Sequence, residues 1–232
     1  MPGDRALAEL YEARAQTYAA FGNGAIADHA LRLLPAGGRV LDVGCASGGL
    51  LALLRPRAGH LAGLELSATA ARAAAQIGDE VVCGALEDPA LPFEPGAFDL
   101  VVLADVLEHL ADPAAGLARA VAWCRPGGAV LVSVPNVAHW HARLTLLRGR
   151  WPQHDSGTFD ASHLRWFTRD SLRALLAGAG LRDVELDAIV PMLANHLRPA
   201  RLAARAEPAW QALGRRAPAL MGYQIVATGR RS

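Results

Sequence analysis

The chain has 232 residues, 52% of them hydrophobic, enough to bury one sizeable core without disulfide or metal staples. Its formal net charge is +1, so no overall field draws it to nucleic acid or to an anionic membrane, and any anion it binds must be met locally. All 23 basic residues are arginine, which excludes Schiff-base chemistry and Walker-type phosphate binding, since both need a lysine.

Cys45, Cys83 and Cys124 lie far apart with no C-x-x-C pair and read as reduced packing residues. The first sixteen residues carry Asp4, Arg5, Glu9, Glu12 and Arg14 where a signal peptide needs an apolar block. No stretch is apolar for long enough to cross a bilayer, so a cytoplasmic protein is expected.

In chain order, residues 5–34 place apolar side chains at roughly helical spacing and predict two amphipathic helices broken near Gly22–Gly24. Strands and helices then alternate: RVLDVG from Arg39, a helix from Gly48, HLAGLE from His60, a helix from Ser67, EVVCG from Glu80 and FDLVVLA from Phe98. Asp112 followed by Pro113 predicts a capped helix that RPGG at 125–128 stops, and GAVLVSVP to Pro135 is the next strand. Near-continuous apolar strands alternating with helices predict a parallel sheet covered on both faces. The pattern breaks at 136–167, a stretch dense in His, Arg and Trp that reads as a lid or substrate wall. A helix at 168–180, a strand at 182–190, an irregular Arg-rich stretch at 192–221 and a last strand, YQIVATG, complete the chain.

Gly44, Gly48 and Gly49 follow the first strand, where absent side chains let backbone approach a ligand in the crevice beyond the strand ends. Glu65 ends the next strand 21 residues past Gly44, where a carboxylate can accept hydrogen bonds from both hydroxyls of a ribose. Together they specify an adenosine-type ligand. The turn reads G-x-x-x-G-G, and Ala46 stands where the dinucleotide pattern needs a second glycine, which counts against an NAD-dependent oxidoreductase.

The set VLDVGCASGG, LELS, LPFEPGAFDLVVLADVLEHLADP and CRPGGAVLVSVPN resembles, in order and spacing, the class I S-adenosylmethionine-dependent methyltransferases, in particular the UbiG-like and type 11 or type 12 groups. The resemblance runs from about Tyr11 to Phe167 and implies a Rossmann-like, doubly wound α/β fold. Its seven-stranded sheet would be mostly parallel, with the last strand antiparallel. It implies one domain over 1–232: a helical cap at 5–34, a cofactor core at 39–135, a lid at 136–167, and a C-terminal part at 168–232 with an Arg-rich insertion. It further implies that Asp42 and Gly44 order the methionine end of the cofactor, lined by backbone of Cys45, Ala46 and Gly48. Glu65 and Leu66 would hold the ribose and one adenine face, with Leu86 as an apolar wall and Glu87 in place of the family's usual Asp. Ala104 and Asp105 would close the pocket, and Tyr11 and Tyr18 would fold over it.

Transfer from a sulfonium is an in-line displacement in which orientation supplies roughly 7–11 kcal/mol, and a hydroxyl acceptor also needs a base, for which a histidine contributes roughly 10²- to 10⁴-fold. His109, His139 and His163 are the candidates. Asp105, Glu108 and His109 stand at i, i+3 and i+4, a pattern with which some UbiG-like relatives are thought to bind a divalent cation; a base or structural role for His109 is preferred, and no metal is expected. Arg143, Arg148, Arg150 and Arg165 could meet an acidic substrate, and Trp140, Trp151 and Trp166 could form an aromatic wall.

The expected function is methylation of a small molecule, at oxygen first, yielding S-adenosylhomocysteine, by a monomer or homodimer with no nucleic-acid or membrane partner. The competing reading is an accessory protein without turnover. VPNVAHWHARLTLLRGRWP also resembles a methyltransferase-like protein of methionine biosynthesis tied to a partner acyltransferase, and the Arg-rich 196–231 would then be an interface.

Overall fold

Seven segments form one sheet: β1 (Gly38–Val43), β2 (Ala58–Glu65), β3 (Glu80–Cys83), β4 (Phe98–Ala104), β5 (Cys124–Pro135), β6 (Leu181–Ile189) and β7 (Gln224–Arg231). They belong to a computed structural model that describes residue 12, residues 24–193 and residues 200–232. The strand order is β3-β2-β1-β4-β5-β7-β6. β1 pairs in parallel with β2 and β4, β2 with β3, and β4 with β5, while β7 runs antiparallel between β5 and β6. The order reverses beside β1, which places a crevice beyond its carboxyl end, as the alternation of elements predicts.

Successive residues of the central strands point to opposite faces, so each strand feeds two cores. Val40, Leu100 and Val102 pack under α1 (Gly24–Leu33) and α2 (Gly49–Leu54), whereas Leu41, Val101 and Leu103 pack under α4 (Pro113–Trp123) and α6 (Arg169–Gly178). α3 (Ala68–Ala74) covers β2 and β3. Asp112 caps α4 by accepting from Ala114 and Ala115 N–H at 3.0 Å each, with Pro113 at the first helical position, as expected.

Four local expectations are corrected. β5 begins at Cys124 because Arg125–Gly128 is taken up as an irregularity in the strand, with Gly127 at φ 73°, instead of forming a separate stop. The stretch after Met192 is not irregular: α7 (Ala200–Arg216) and α8 (Pro218–Met221) fill most of it, and Pro208 inside α7 is what disguised the helix. The 136–167 stretch contains one helix, α5 (Trp140–Leu147). Cys83 is exposed and does not serve as a packing residue, while Cys45 and Cys124 are buried; all three are free thiols. Of the predicted N-terminal cap, only α1 and Glu12 fall among the described residues. No helix of the described residues is long and apolar enough to cross a membrane.

Candidate active site

The turn after β1 is held against β2 by two backbone bonds, from Gly44 and Cys45 N–H to Leu64 O at 2.7 and 3.1 Å. Gly44, Ala46 and Gly48 all take left-handed conformations, with φ of 74°, 46° and 86°. A side chain at Gly44 would meet Val106 at 2.7 Å, and one at Gly63 in β2 would meet Cys45 Sγ at 2.7 Å, so glycine at both positions lets the turn sit down on the sheet.

Glu65, buried at the end of β2, joins this turn to the next. Its Oε2 accepts from Ala46 N–H and its Oε1 from Ser67 N–H, each at 2.8 Å. Burial raises its carboxyl above the ordinary value, and the bonds from Ser67 and Ala46 hold it back. Each oxygen keeps a second acceptor position, which suits a pair of ribose hydroxyls. Asp42, 2% exposed, is pushed up to about 8 by burial and then by Glu65. A buried carboxylate in that state gains from a cationic neighbour, which fits an ammonium of a methionine moiety. Glu12 reaches the same region, accepting from Ser67 Oγ at 2.7 Å and from Thr69 Oγ1.

The remaining cofactor candidates divide. Cys45, Ala46, Gly48 and Leu66 lie on the two turns that Glu65 joins. Leu86 is buried in the core near Gly116, and Glu87 is exposed. Ala104 and Asp105 follow at the carboxyl end of β4. Tyr11 and Tyr18 lie outside the described residues.

Asp105 takes φ 55° and does not share a helical face with Glu108 and His109, because the helical turn that follows is a short 3-10 turn, Leu107–His109. Its carboxylate instead receives Gln224 Nε2 on both oxygens, at 2.6 and 2.8 Å. Asp105 is an exposed residue, yet the protein packed around its carboxyl raises it to about 6, opposed by Gln224 and Ser133.

The segment 160–165 docks on that turn. Leu164 and Arg165 N–H both donate to Glu108 O, at 2.8 and 3.0 Å. His109 Nδ1 lies 3.3 Å from both Ser162 O and Ser162 Oγ, and Ser162 Oγ donates to Asp160 Oδ1 at 2.6 Å. His163 stacks edge-on against His109 with ring centroids 4.8 Å apart. Glu108, His109 and His163 each offer a ligand atom within 4.8 Å of the others. A tetrahedral ion would draw such donors to roughly 3.4 Å of one another. Both Glu108 oxygens are buried without a hydrogen bond, and burial, then Asp105 and Asp160, holds this carboxyl well above its ordinary value.

His139 is buried at the start of α5, its ring edge-on to Tyr223 at 5.9 Å. Of the four arginines, Arg143 donates to Ala138 O at 2.6 Å and Arg165 to Ala111 O, so both brace the backbone. Trp151 packs edge-on against Phe159 and Trp166, at 5.1 and 5.0 Å, tying this segment together. Two open grooves, of about 610 and 510 Å³, lie elsewhere: neither is lined by Asp42, Glu65 or the glycine turn.

A family model described as a methyltransferase domain matches residues 18–186. The chain belongs to this family, the class I S-adenosylmethionine-dependent methyltransferases. The match covers the crevice, its glycine turn and the docked 160–165 segment. The methyltransferase is 38% identical over 118 residues to a ubiquinone biosynthesis O-methyltransferase of Ralstonia nicotianae, covering 48% of each chain. It is 27% identical over 162 residues to the protein of that name from Idiomarina loihiensis, covering 66% of this chain and 65% of the other. The chain thus spans about half the length of the first of these relatives. A Thermotoga maritima methyltransferase described as a possible histamine N-methyltransferase superposes with a TM-score of 0.69 at 18% identity, over 97% of this chain and 99% of that one. The [4+2]-cyclase SpnF superposes at 0.58 and 19% identity, over 89% and 80%. At such identities the likeness shows the fold alone.

Sequence reasoning missed Ser133, Asp160, Ser162, Tyr223 and Gln224. None carries a local motif. Gln224 reaches Asp105 only because β7 inserts beside β5, a pairing 119 positions apart in the chain.

Proposed function

We propose that this methyltransferase transfers a methyl group from S-adenosylmethionine to a hydroxyl oxygen of a small molecule seated between Asp105 and the 136–167 segment. The single observation that carries the choice of oxygen is the Asp160–Ser162–His109 chain beside the end of β4. The name borne by the O-methyltransferase relatives supports it. The bound cofactor supplies an electrophilic methyl on a positively charged sulfur. Asp42 would hold its ammonium end and Glu65 its ribose, so that the methyl faces the gap below Asp105. His109, with its proton on Nδ1 toward Ser162, carries a lone pair on Nε2 and takes the hydroxyl proton as the new oxygen–carbon bond forms. The sulfur keeps the electron pair of the broken bond. Asp160 and Ser162 hold the ring in that tautomer, as an orienting group does in other relays. Glu108 is protonated in this reading, and no metal takes part. His139 and His163 brace the segment. The protein works as a monomer or homodimer in the cytoplasm, without nucleic acid or membrane.

Incubation with S-adenosylmethionine and a panel of phenols and catechols tests the reading, with S-adenosylhomocysteine measured by mass spectrometry and its binding by titration calorimetry. Methylation of a hydroxyl supports it. Weak or absent binding of S-adenosylmethionine and S-adenosylhomocysteine, with no methylated phenol or catechol, favours the accessory protein.

A further inference from the structure

We propose that Gln224 is a positioning residue that holds the Asp105 carboxylate toward the acceptor, where Asp105 accepts a hydrogen bond from a hydroxyl of the molecule being methylated. The inference rests on the reading above and adds a residue to it. Gln224 lies outside residues 18–186, the stretch that the family model matches.

The geometry is specific. Asp105 is one of three non-glycine residues with positive φ among those described, and with Ala46 it is one of two that border the crevice. A side-chain-bearing residue in that conformation is disfavoured, though less so for Asp than for most, and it persists where its surroundings over-determine it. Here two sets of bonds do so. Asp105 N–H donates to Ser133 O at 3.0 Å, which fixes the backbone. The amide nitrogen of Gln224 lies 2.6 and 2.8 Å from the two carboxylate oxygens and 3.1 Å from Ser133 Oγ, which fixes the side chain.

Gln224 is itself held within the sheet. It opens β7 and pairs with Pro135 on one side and Ile189 on the other. The preceding Tyr223 donates its N–H to Ile189 O and accepts from Asn136 N–H, each at 2.9 Å. Asn136, fully buried, then donates to Gly222 O at 2.8 Å and Ala219 O at 3.0 Å.

Direction decides which ligand the carboxylate serves. The bonds of Asp105 run to β5 and β7, away from β1 and β2, where Asp42, Glu65 and the glycine turn serve the cofactor. Asp105 is exposed, so a carboxylate turned to that side can meet the acceptor. Gln224 supplies donors only to it, so both oxygens keep acceptor capacity for a hydroxyl.

Three variants test this: Gln224→Leu, Gln224→Glu, and Gln224→Glu combined with Asp105→Asn. A crystal structure of Gln224→Leu should show the Asp105 carboxylate displaced while its N–H stays on Ser133 O. The Kd for S-adenosylhomocysteine should stay within about twofold, while KM for the phenol that the wild type methylates fastest rises about tenfold, the loss of one charge-assisted hydrogen bond. Gln224→Glu, which sets two carboxylates face to face, should lower Tm. The double variant restores a donor–acceptor pair with the charge moved to position 224, so it should recover Tm without recovering KM. An Asp105 carboxylate that stays in place, an unchanged KM, a KM recovered in the double variant, or a Kd weakened as much as KM each overturns the proposal. If the wild type methylates no phenol, the reading above falls, and the crystal structure and the Kd still decide whether Gln224 positions Asp105 on the acceptor side.

Discussion

Ala46 N–H donates to Glu65 Oε2 at 2.8 Å, so the residue that stands where a dinucleotide-binding turn has its second glycine is bonded to the residue assigned to the ribose. The carboxylate closes the turn after β1 onto the turn after β2, and in the proposed reading its remaining acceptor positions serve the ribose. Glu65→Gln keeps the size and loses one acceptor oxygen, which sets an amide nitrogen against the Ala46 or Ser67 donor. Titration calorimetry should show S-adenosylhomocysteine binding weakened about tenfold or more, the scale of one charge-assisted bond, with Glu65→Ala weaker still. Unchanged affinity in Glu65→Ala would remove Glu65 from the cofactor site.

Ala46 pays a conformational penalty that glycine would not. At φ 46° its Cβ is strained by about 1–2 kcal/mol, and a glycine adds back about 0.5–1 kcal/mol of unfolded-state entropy. Ala46→Gly should therefore raise stability by up to about 1 kcal/mol, read as a Tm higher by about 2–4 °C. A lower Tm would show that Ala46 is not strained in solution.

Asp42 links stability to cofactor binding through pH. In the unliganded protein its carboxyl is pushed to about 8 from an ordinary 3.8, by burial and then by Glu65. Between those values the native state keeps a proton that the unfolded chain has lost, so this group lowers stability as pH rises through the window. A bound ammonium favours the ionised form, so affinity for S-adenosylhomocysteine should rise from pH 6 and level off above about 8, with proton release in the calorimeter at neutral pH. Asp42→Asn should raise Tm at pH 8, weaken binding and flatten its pH dependence. A pH-independent affinity in the wild type would place the ammonium elsewhere.

The parts of this site that were legible in the sequence are those whose cause is local. The glycine turn, Glu65 at a strand end, and the Asp112–Pro113 cap are each set within a few residues, by backbone conformation or by capping. The parallel sheet followed from alternation of apolar strands with helices, and its antiparallel strand from the family resemblance; the strand order is what the structure adds. What stayed hidden depends on long-range pairing. Asp105 reads as part of a helical face with Glu108 and His109 until its positive φ and the bonds to Gln224 turn it the other way. Asp160 and Ser162 gain meaning only when Leu164 and Arg165 dock on Glu108 O. Pro208 hid α7 because a proline argues against a helix interior even where the helix tolerates it.

Glu108 distinguishes a proton from a cation. Its two oxygens are buried without hydrogen bonds, and burial with Asp105 and Asp160 nearby favours the neutral acid. Glu108→Gln copies that neutral form in shape and should keep Tm within about 2 °C of the wild type, the effect of less than about 1 kcal/mol in a chain of this size. Its Tm should also gain on the wild type as pH rises, since the raised carboxyl lowers stability above its ordinary value. Dialysis against EDTA should leave turnover unchanged. Loss of turnover in EDTA, restored by magnesium or manganese, would assign the Glu108, His109 and His163 cluster to a metal.

His109 is joined to Ser162 and through it to Asp160, and the three candidates should separate on that basis. His109→Gln should lower kcat roughly 10²- to 10⁴-fold, the range a positioned base contributes, with the Kd for S-adenosylhomocysteine unchanged. Ser162→Ala and Asp160→Asn should each lower kcat by less, because they act through the ring without accepting the substrate proton. His139, buried and packed against Trp140 and Tyr223, should report in Tm more than in kcat when replaced by glutamine. Stopped-flow or initial-rate assays with one hydroxyl acceptor and one amine acceptor sharpen the test. An amine presented in its neutral form brings its own lone pair and can lose a proton to water after transfer, so His109→Gln should impair the hydroxyl far more than the amine. Equal losses on both acceptors would assign His109 to holding the 160–165 segment in place instead of to proton transfer.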